Sequence, residues 1–519
     1  MLIYRLDPGR ADFPHLIDCS HKLFGIGDNF KLSKRTTGNV LHNGSHVVEV
    51  APESGGIWAA DESQLFKPLT RASLPAPKAA VAKSKKLLFN DGFLPKLDRP
   101  FRFGDPTIGG TRFATNQSGK RIDQRLDIQV THPVFVGDIP VVGGGGDFTN
   151  VFGHKGSLIG FSGVWRQAIG SFDAKPIDQR HADEQFRTMT GNLKIDSFQS
   201  KLAYYSAPAF TKQDFLYPVY VYSATAIVDK QRVPLRRIMI AATDFGPATV
   251  FAKPQVARPK IDTRTPGPKD KRKIGSASRR SMMAASPTRP WEAGTSWIGQ
   301  SGGLAGSHDN AKGFVDEWAA AGWHIDFNWG DANAWESDWD RNDQTWVDNA
   351  DFVFYTGHAN QNGWVLSTPD DTFLDTADAN GRYGNEDLEW MTIAACGPLQ
   401  DNILAAGGGD VSRWVPAFKG MHIMMGYGAI TFDNTDEGRK VAQYAKGGST
   451  LIDAWFRTAR EIQPATNGAA APDGPDVWVG ALWVGQSGRD PFNDHAWDFG
   501  SVCADPTAPT WWAAMWTTC

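Results

Sequence analysis

Residues 119 to 245 hold a series of short apolar or alternating runs of strand length. Arg125-Leu-Asp-Ile-Gln-Val-Thr is one such run. Val134 to Gly143, Gly156 to Arg166, Leu216 to Tyr222 and Pro234 to Ala242 are others. A helix is predicted among them, over Ala182 to Met189. Residues 1–95 read as short strands and turns ending in a polar connector, with hairpin character around Asn43-Gly44. The expectation is a β-rich segment over 1–95 and an α+β domain over 96–252.

Beyond residue 291 the pattern changes to apolar strands alternating with helical periodicity. Thr295-Ser-Trp-Ile-Gly, Trp323 to Trp329, Asp351 to Thr356, Leu388 to Ala395, His422 to Gly428 and Val477 to Val484 read as strands, with a short one over Trp364 to Ser367. Asn310 to Ala321 reads as a helix with Phe314, Val315 and Trp318 on one face, followed later by helices over Gly438 to Ala445 and Thr450 to Ile462. Strands alternating with helices predict an α/β fold, a mostly parallel sheet with helices on both faces, over 291–519.

Composition sharpens this division. Residues 291–519 hold 18 of the 20 tryptophans, so the two regions have different cores or surfaces. Between them, 253–290 carries six prolines and eleven Lys or Arg against Asp262 and Asp270, a local charge of +9 in a chain of net −4. So few large apolar residues cannot offset the entropy of ordering, which makes this stretch an expected basic, flexible linker. The overall charge gives no case for nucleic acid, and no apolar run is long enough to span a membrane. The first residues lack the basic and apolar parts of a signal peptide, so the protein stays inside the cell or a leader is absent from this sequence. Four cysteines, Cys19, Cys396, Cys503 and Cys519, are too few for a disulfide scaffold and show no zinc spacing. Cys503 and Cys519 are either a pair across the C-terminal tail or two free thiols.

Two of the strands end in reactive side chains. Asp351-Phe-Val-Phe-Tyr-Thr-Gly leads into His358, and Leu388-Glu-Trp-Met-Thr-Ile-Ala-Ala leads into Cys396. A parallel sheet gathers the carboxyl ends of its strands along one edge, where ligands bind. Neighbouring strands would bring an imidazole to a thiol, and a thiolate beside a proton acceptor is a strong nucleophile. Singly, each residue has a plainer reading, Cys396 as a small core hydrophobe and His358 as a satisfied strand-end histidine.

The paired pattern, over residues 291–465, resembles the caspase-like cysteine peptidases, whose signature is an apolar strand ending in His-Gly and another ending in Ala-Cys. Ala395-Cys396 keeps the second half; Gly357-His358-Ala359 departs from the first, with Ala for the usual Gly. The resemblance implies that Cys396 attacks the scissile carbonyl, His358 transfers protons, and the N–H groups of Ala359 and Cys396 stabilise the oxyanion. Ala359 can still donate if its φ stays negative. Ser301, Asp309 and Asp331 are the candidates to orient His358. Gly137-Asp-Ile-Pro-Val-Val-Gly143 and the run from Gly156 resemble the propeptide-type modules that precede secreted peptidases, which implies a zymogen with an inhibitory N-terminal region.

After the His422 strand, Asp433, Asp436 and Glu437 are candidates for a pocket that takes a basic side chain, or for an acidic helix start. Such a specificity would cut the linker at Arg272, Lys273, Arg279 or Arg280, by self-processing. Val142 to Asp147 and Gly407 to Asp410 are glycine-rich without a clear helix to follow, so neither reads as a phosphate loop. His42 and His46 flank a turn and do not share a face, and Gly299, Gly302, Gly303 and Gly306 read as shaping the first strand-to-helix crossover. No cofactor or metal is expected; the expected partners are a protein or peptide substrate and the chain's own N-terminal region. The expectation is therefore a cysteine endopeptidase made as a zymogen. The alternatives are a catalytically inactive binding or scaffolding protein on the same fold, and a transpeptidase using the same acyl-enzyme.

Overall fold

The computed structural model describes residues 1–7, 12–35, 37–68, 73–94, 97, 100–247, 249–251, 291–368, 371–404, 407–465 and 476–519. The expected linker, with Arg272, Lys273, Arg279 and Arg280, lies outside the described residues.

The fold is mixed α/β, dominated by two large sheets. The one that carries the candidate site has nine strands among the described residues. Five run parallel in the spatial order His324–Gly330, Glu292–Trp297, Phe352–Thr356, Trp390–Ala394 and Ile423–Tyr427. Trp478–Gly485 and Trp511–Thr518 continue it antiparallel. The last two strands, Thr111–Thr115 and Ile122–Arg125, come from the N-terminal half of the chain. Three of the five parallel strands, Phe352–Thr356, Trp390–Ala394 and Ile423–Tyr427, are near-continuous apolar runs because both their faces are covered.

What covers the faces departs from the expected arrangement. Helices Ser307–Ala320, Glu437–Lys446 and Leu451–Ile462 pack together on one face, against Phe352, Phe354, Trp390, Ile423 and Met425. The other face, with Val353, Tyr355, Met391 and Ile393, is covered among the described residues by short 3-10 turns and a three-stranded sheet. Trp339, Trp364 and Trp414 fill that layer, with Trp364 stacked on Trp414 at 5.2 Å between ring centres. The physical reason lies in residues 331–350, which are rich in Asp, Asn and Trp. These short polar side chains bond the nearby backbone and favour turns over a continuous helix.

The N-terminal sheet has sixteen strands among the described residues. The division expected at 95/96 is not a division of this sheet: Ile57–Asp61 pairs with Leu158–Gly163. The Asn43-Gly44 hairpin is present, with Gly44 at φ +58°, and the expected helix spans Gln179–Met189. Nor are the two halves of the chain separate bodies of core. Trp58, Phe66, Leu126 and Val151 share one hydrophobic cluster with Trp455 and Phe456. The buried Arg457 pairs with Glu49 at 2.8 Å and lies over the Trp58 ring. All four cysteines are free thiols, so Cys503 and Cys519 are not bonded.

Candidate functional site

The strand Phe352–Thr356 lies directly beside Trp390–Ala394, parallel, with Thr356 opposite Ala394. His358 and Cys396 each follow that register pair by two residues. Both therefore stand at the carboxyl rim of the sheet, on neighbouring strands. Both are also fully buried, at 0% exposure.

The two nitrogens of His358 are already engaged. Nε2 lies 2.8 Å from the carbonyl oxygen of Gly302, and Nδ1 accepts the backbone N–H of Arg236 at 3.2 Å. A carbonyl can only accept and an amide N–H can only donate, so the ring is the neutral Nε2–H tautomer. Burial pushes its pKa down to about 4, the Gly302 carbonyl opposes this, and the nearby Arg236 cation adds to it. No hydrogen bond joins His358 to Cys396 in this state.

Cys396 accepts the backbone N–H of Thr431 at 3.4 Å, and its sulfur lies 3.7 Å from the Thr431 hydroxyl. Burial raises the thiol pKa, and the Thr431 N–H and the Arg236 cation offset this only in part. The resting sulfur is therefore a protonated thiol, not a thiolate. Gly397 follows at φ +79°, a conformation that turns the chain sharply away from the strand end. Ala359 stays outside the left-handed region, so its side chain imposes no strain there.

The orienting group for His358 is a backbone carbonyl, held by a side chain. Asp331 accepts N–H bonds from Gly299, Gln300 and Ser301 and the hydroxyl of Ser301. It thereby fixes the loop that presents the Gly302 oxygen. Asp331 itself sits at φ +50°, an uncommon conformation for a non-glycine residue. A Cβ on Gly302 would lie 3.2 Å from the His358 ring and 2.8 Å from Ile298, so only glycine brings this carbonyl so close. Asp309, the other acidic candidate, pairs with His308 at the surface.

The three pocket candidates separate. Glu437 is fully buried and holds the Arg236 guanidinium at 3.0 Å. Asp433 accepts the Gly306 N–H at 2.8 Å and stands within electrostatic reach of Arg236; burial pushes its carboxyl up to about 6. Asp436 does not join them and pairs with Arg439 along its own helix.

Arg236 is the site residue that the sequence pattern did not single out. It and Arg237 interrupt an apolar run that otherwise reads as a strand, and both are buried. A dibasic pair within such a run is the signal that was available. Two arginines without solvent need acceptors from elsewhere in the fold.

Residues 292–517 match a family described as a domain of unknown function, DUF6345. The match takes in the parallel strands, His358, Cys396 and Glu437, and leaves out Arg236 and the strands Thr111–Thr115 and Ile122–Arg125. No curated protein matches the chain.

Proposed function

We propose that the chain is a latent caspase-like cysteine endopeptidase with His358 and Cys396 as its dyad and the N-terminal region as its inhibitor. The observation that carries this reading is the register of Thr356 with Ala394, because His358 and Cys396 each follow that pair by two residues at the same rim of the sheet. Five parallel strands supply the carboxyl rim at which such sites are built. The latent state fits the same residues, because the Arg236 N–H occupies the ring nitrogen that would take the thiol proton.

Once uncovered, His358 Nδ1 accepts the proton of Cys396 Sγ, and the sulfur attacks the substrate carbonyl carbon. The C–N bond breaks as Nδ1 returns the proton to the leaving amine. Water then adds to the thioester with Nδ1 as base, releasing the acid and the thiol. The N–H groups of Ala359 and Cys396 would receive the oxyanion, each donor worth roughly 3–4 kcal/mol in the transition state. Transfer of the acyl group to an amine in place of water would make the same site a transpeptidase.

A second reading has its own support. The core shared by Trp58, Phe66 and Phe456 binds the N-terminal half to the helical face, as suits a permanent, non-catalytic binding module. A peptide-library cleavage profile of the full chain, before and after limited proteolysis, decides between them. Cleavage that appears on proteolysis and vanishes in Cys396→Ala supports the peptidase, with ligated products marking the transpeptidase. Cleavage by neither preparation, with Cys396 inert to iodoacetamide in both, sinks it.

A further inference from the structure

Between the strands Gln231–Pro234 and Ile238–Ala241 the chain crosses the rim that holds His358 and Cys396. Arg232 gives its carbonyl to the Asn360 side chain at 3.1 Å. Arg237 then pairs with the segment after the Ile423 strand: its N–H donates to Thr431 O at 2.7 Å, and its carbonyl accepts from Asp433 N–H at 3.0 Å. Between these points the Arg236 side chain descends into the sheet rim and is 1% exposed.

The guanidinium fills a set of acceptors laid out for it. One terminal nitrogen donates to Thr356 Oγ1 at 3.0 Å and Ala394 O at 2.8 Å. The other donates to Phe432 O at 2.7 Å and to both Glu437 oxygens, at 3.2 and 3.0 Å. Thr356 and Ala394 belong to the two strands that end in His358 and Cys396, so this hole shares its walls with the dyad. Glu437 does not depend on Arg236 for its place. Tyr427 donates to it at 2.6 Å, Gln463 at 2.8 Å and Asn310 at 3.0 Å. Every acceptor lies within 292–517, whereas the arginine comes from outside that span.

A receptor assembled wholly by one half of the chain and filled by the other is what a specificity pocket with an internal occupant looks like. We propose that this hole is the side-chain pocket of Cys396, that it takes an arginine of a polypeptide substrate, and that Arg236 stands in for that arginine in the latent chain. The proposal rests on His358 and Cys396 being the dyad. The free edge at Thr431 and Asp433 would carry the substrate backbone, as it carries Arg237 now. Arginine is preferred to lysine because the acceptors lie at two ends of a planar fork. A single ammonium would leave part of this buried set unpaired.

The test uses the full chain with Arg236→Ala, which empties the hole. Agmatine, a guanidinium on a four-carbon amine, should raise its melting temperature by several degrees and leave the unsubstituted chain unmoved. 1,4-Diaminobutane and sodium chloride at equal ionic strength should not. A peptidyl chloromethyl ketone ending in arginine should alkylate Cys396 at least about tenfold faster than those ending in lysine, leucine or aspartate. Equal rates with all four, or equal stabilisation by agmatine and diaminobutane, overturn the pocket and leave the dyad standing. Agmatine stabilisation with no labelling of Cys396 by iodoacetamide or any ketone supports the pocket and overturns the dyad. If Arg236→Ala does not fold alone, it is refolded with agmatine or with 1,4-diaminobutane present: recovery of folded chain by agmatine alone supports the pocket, and recovery by both or by neither overturns it.

Discussion

The backbone N–H of Arg236 lies 3.2 Å from Nδ1 of His358, so the main chain of one half of the protein caps the proposed base of the other. Nε2 is committed to the Gly302 carbonyl, which leaves Nδ1 as the nitrogen that can move a proton. With Nδ1 accepting an amide hydrogen and the Cys396 thiol pKa raised by burial, neither half of the proposed dyad is ready for chemistry.

Cys396 in the intact chain should therefore react slowly with iodoacetamide at neutral pH, at or below the rate of an ordinary exposed thiol. Arg236→Ala removes the side chain that anchors the cap, and labelling should rise by about tenfold or more as the segment loosens. Peptide mapping by mass separates Cys396 from Cys503, which is only partly buried. Fast labelling of Cys396 in the unsubstituted chain would contradict latency.

The Arg236–Glu437 pair is fully buried, so removing one partner strands the other. Arg236→Ala should lower unfolding stability by about 3–5 kcal/mol. Arg236→Met with Glu437→Gln removes both charges at similar volume and should recover a large part of that loss. Urea midpoints of the single and double variants check this. Equal destabilisation in both would mean that packing, not the buried charge, sets the cost.

Much of this geometry was legible in the chain. The strands ending in His358 and Cys396 are long apolar runs, and strand length with a sharp polar stop is a signal that local patterning carries well. The helix bearing Phe314, Val315 and Trp318 was legible for the same reason. The orienting group of His358 was not, because a backbone carbonyl has no residue type to announce it. Arg236 was missed for a different reason: its acceptors come from Thr356, Ala394, Phe432 and Glu437, which only tertiary structure assembles. The strands Thr111–Thr115 and Ile122–Arg125 were not singled out in the sequence, and alternation could not have said which sheet they join.

That last point has a consequence for dissection. Residues 291–519 alone would expose the edge of Trp511–Thr518, an apolar strand now paired with Thr111–Thr115, and uncover Phe456, which packs edge-on against Phe66. An uncovered apolar edge is an aggregation site. The fragment should elute in the void volume or be insoluble, and co-expression with residues 1–251 should return it to solution as a two-chain complex. A monodisperse, folded 291–519 fragment would show that the shared sheet and core are dispensable.

A buried histidine away from the rim sets a pH limit on the fold. His422 is fully buried, with Nδ1 2.6 Å from Asp494 and Nε2 3.4 Å from Asp505. Burial lowers its pKa, but the two carboxylates outweigh that and raise it to about 9. The unfolded value is about 6.5. A raised histidine stabilises fully below the unfolded value, and its contribution fades as pH climbs towards 9. The loss is on the order of 3 kcal/mol. The urea midpoint should fall between pH 6.5 and 9, and His422→Gln should be less stable at pH 6 with a flatter alkaline limb. Parallel curves for the two proteins would remove His422 from the account.

Gly302 and Asp331 test whether the His358 tautomer matters to catalysis or only to packing. Gly302→Ala places a methyl 2.8 Å from Ile298 and 3.2 Å from the ring, so Ile298, the loop or the imidazole must give way. Asp331→Asn keeps the shape and tolerates the left-handed backbone, but weakens the N–H contacts that fix the 299–301 loop. If proteolysis activates the chain as proposed, both should lower kcat by about 10–100-fold with KM little changed, because the ring moves while the proposed arginine pocket does not. Asp331→Asn should also shift the acid limb of the pH–rate profile, since the Gly302 carbonyl opposes the fall in the His358 pKa caused by burial. A loss of stability with kcat and the pH profile both intact would reduce the pair to structural supports of the loop.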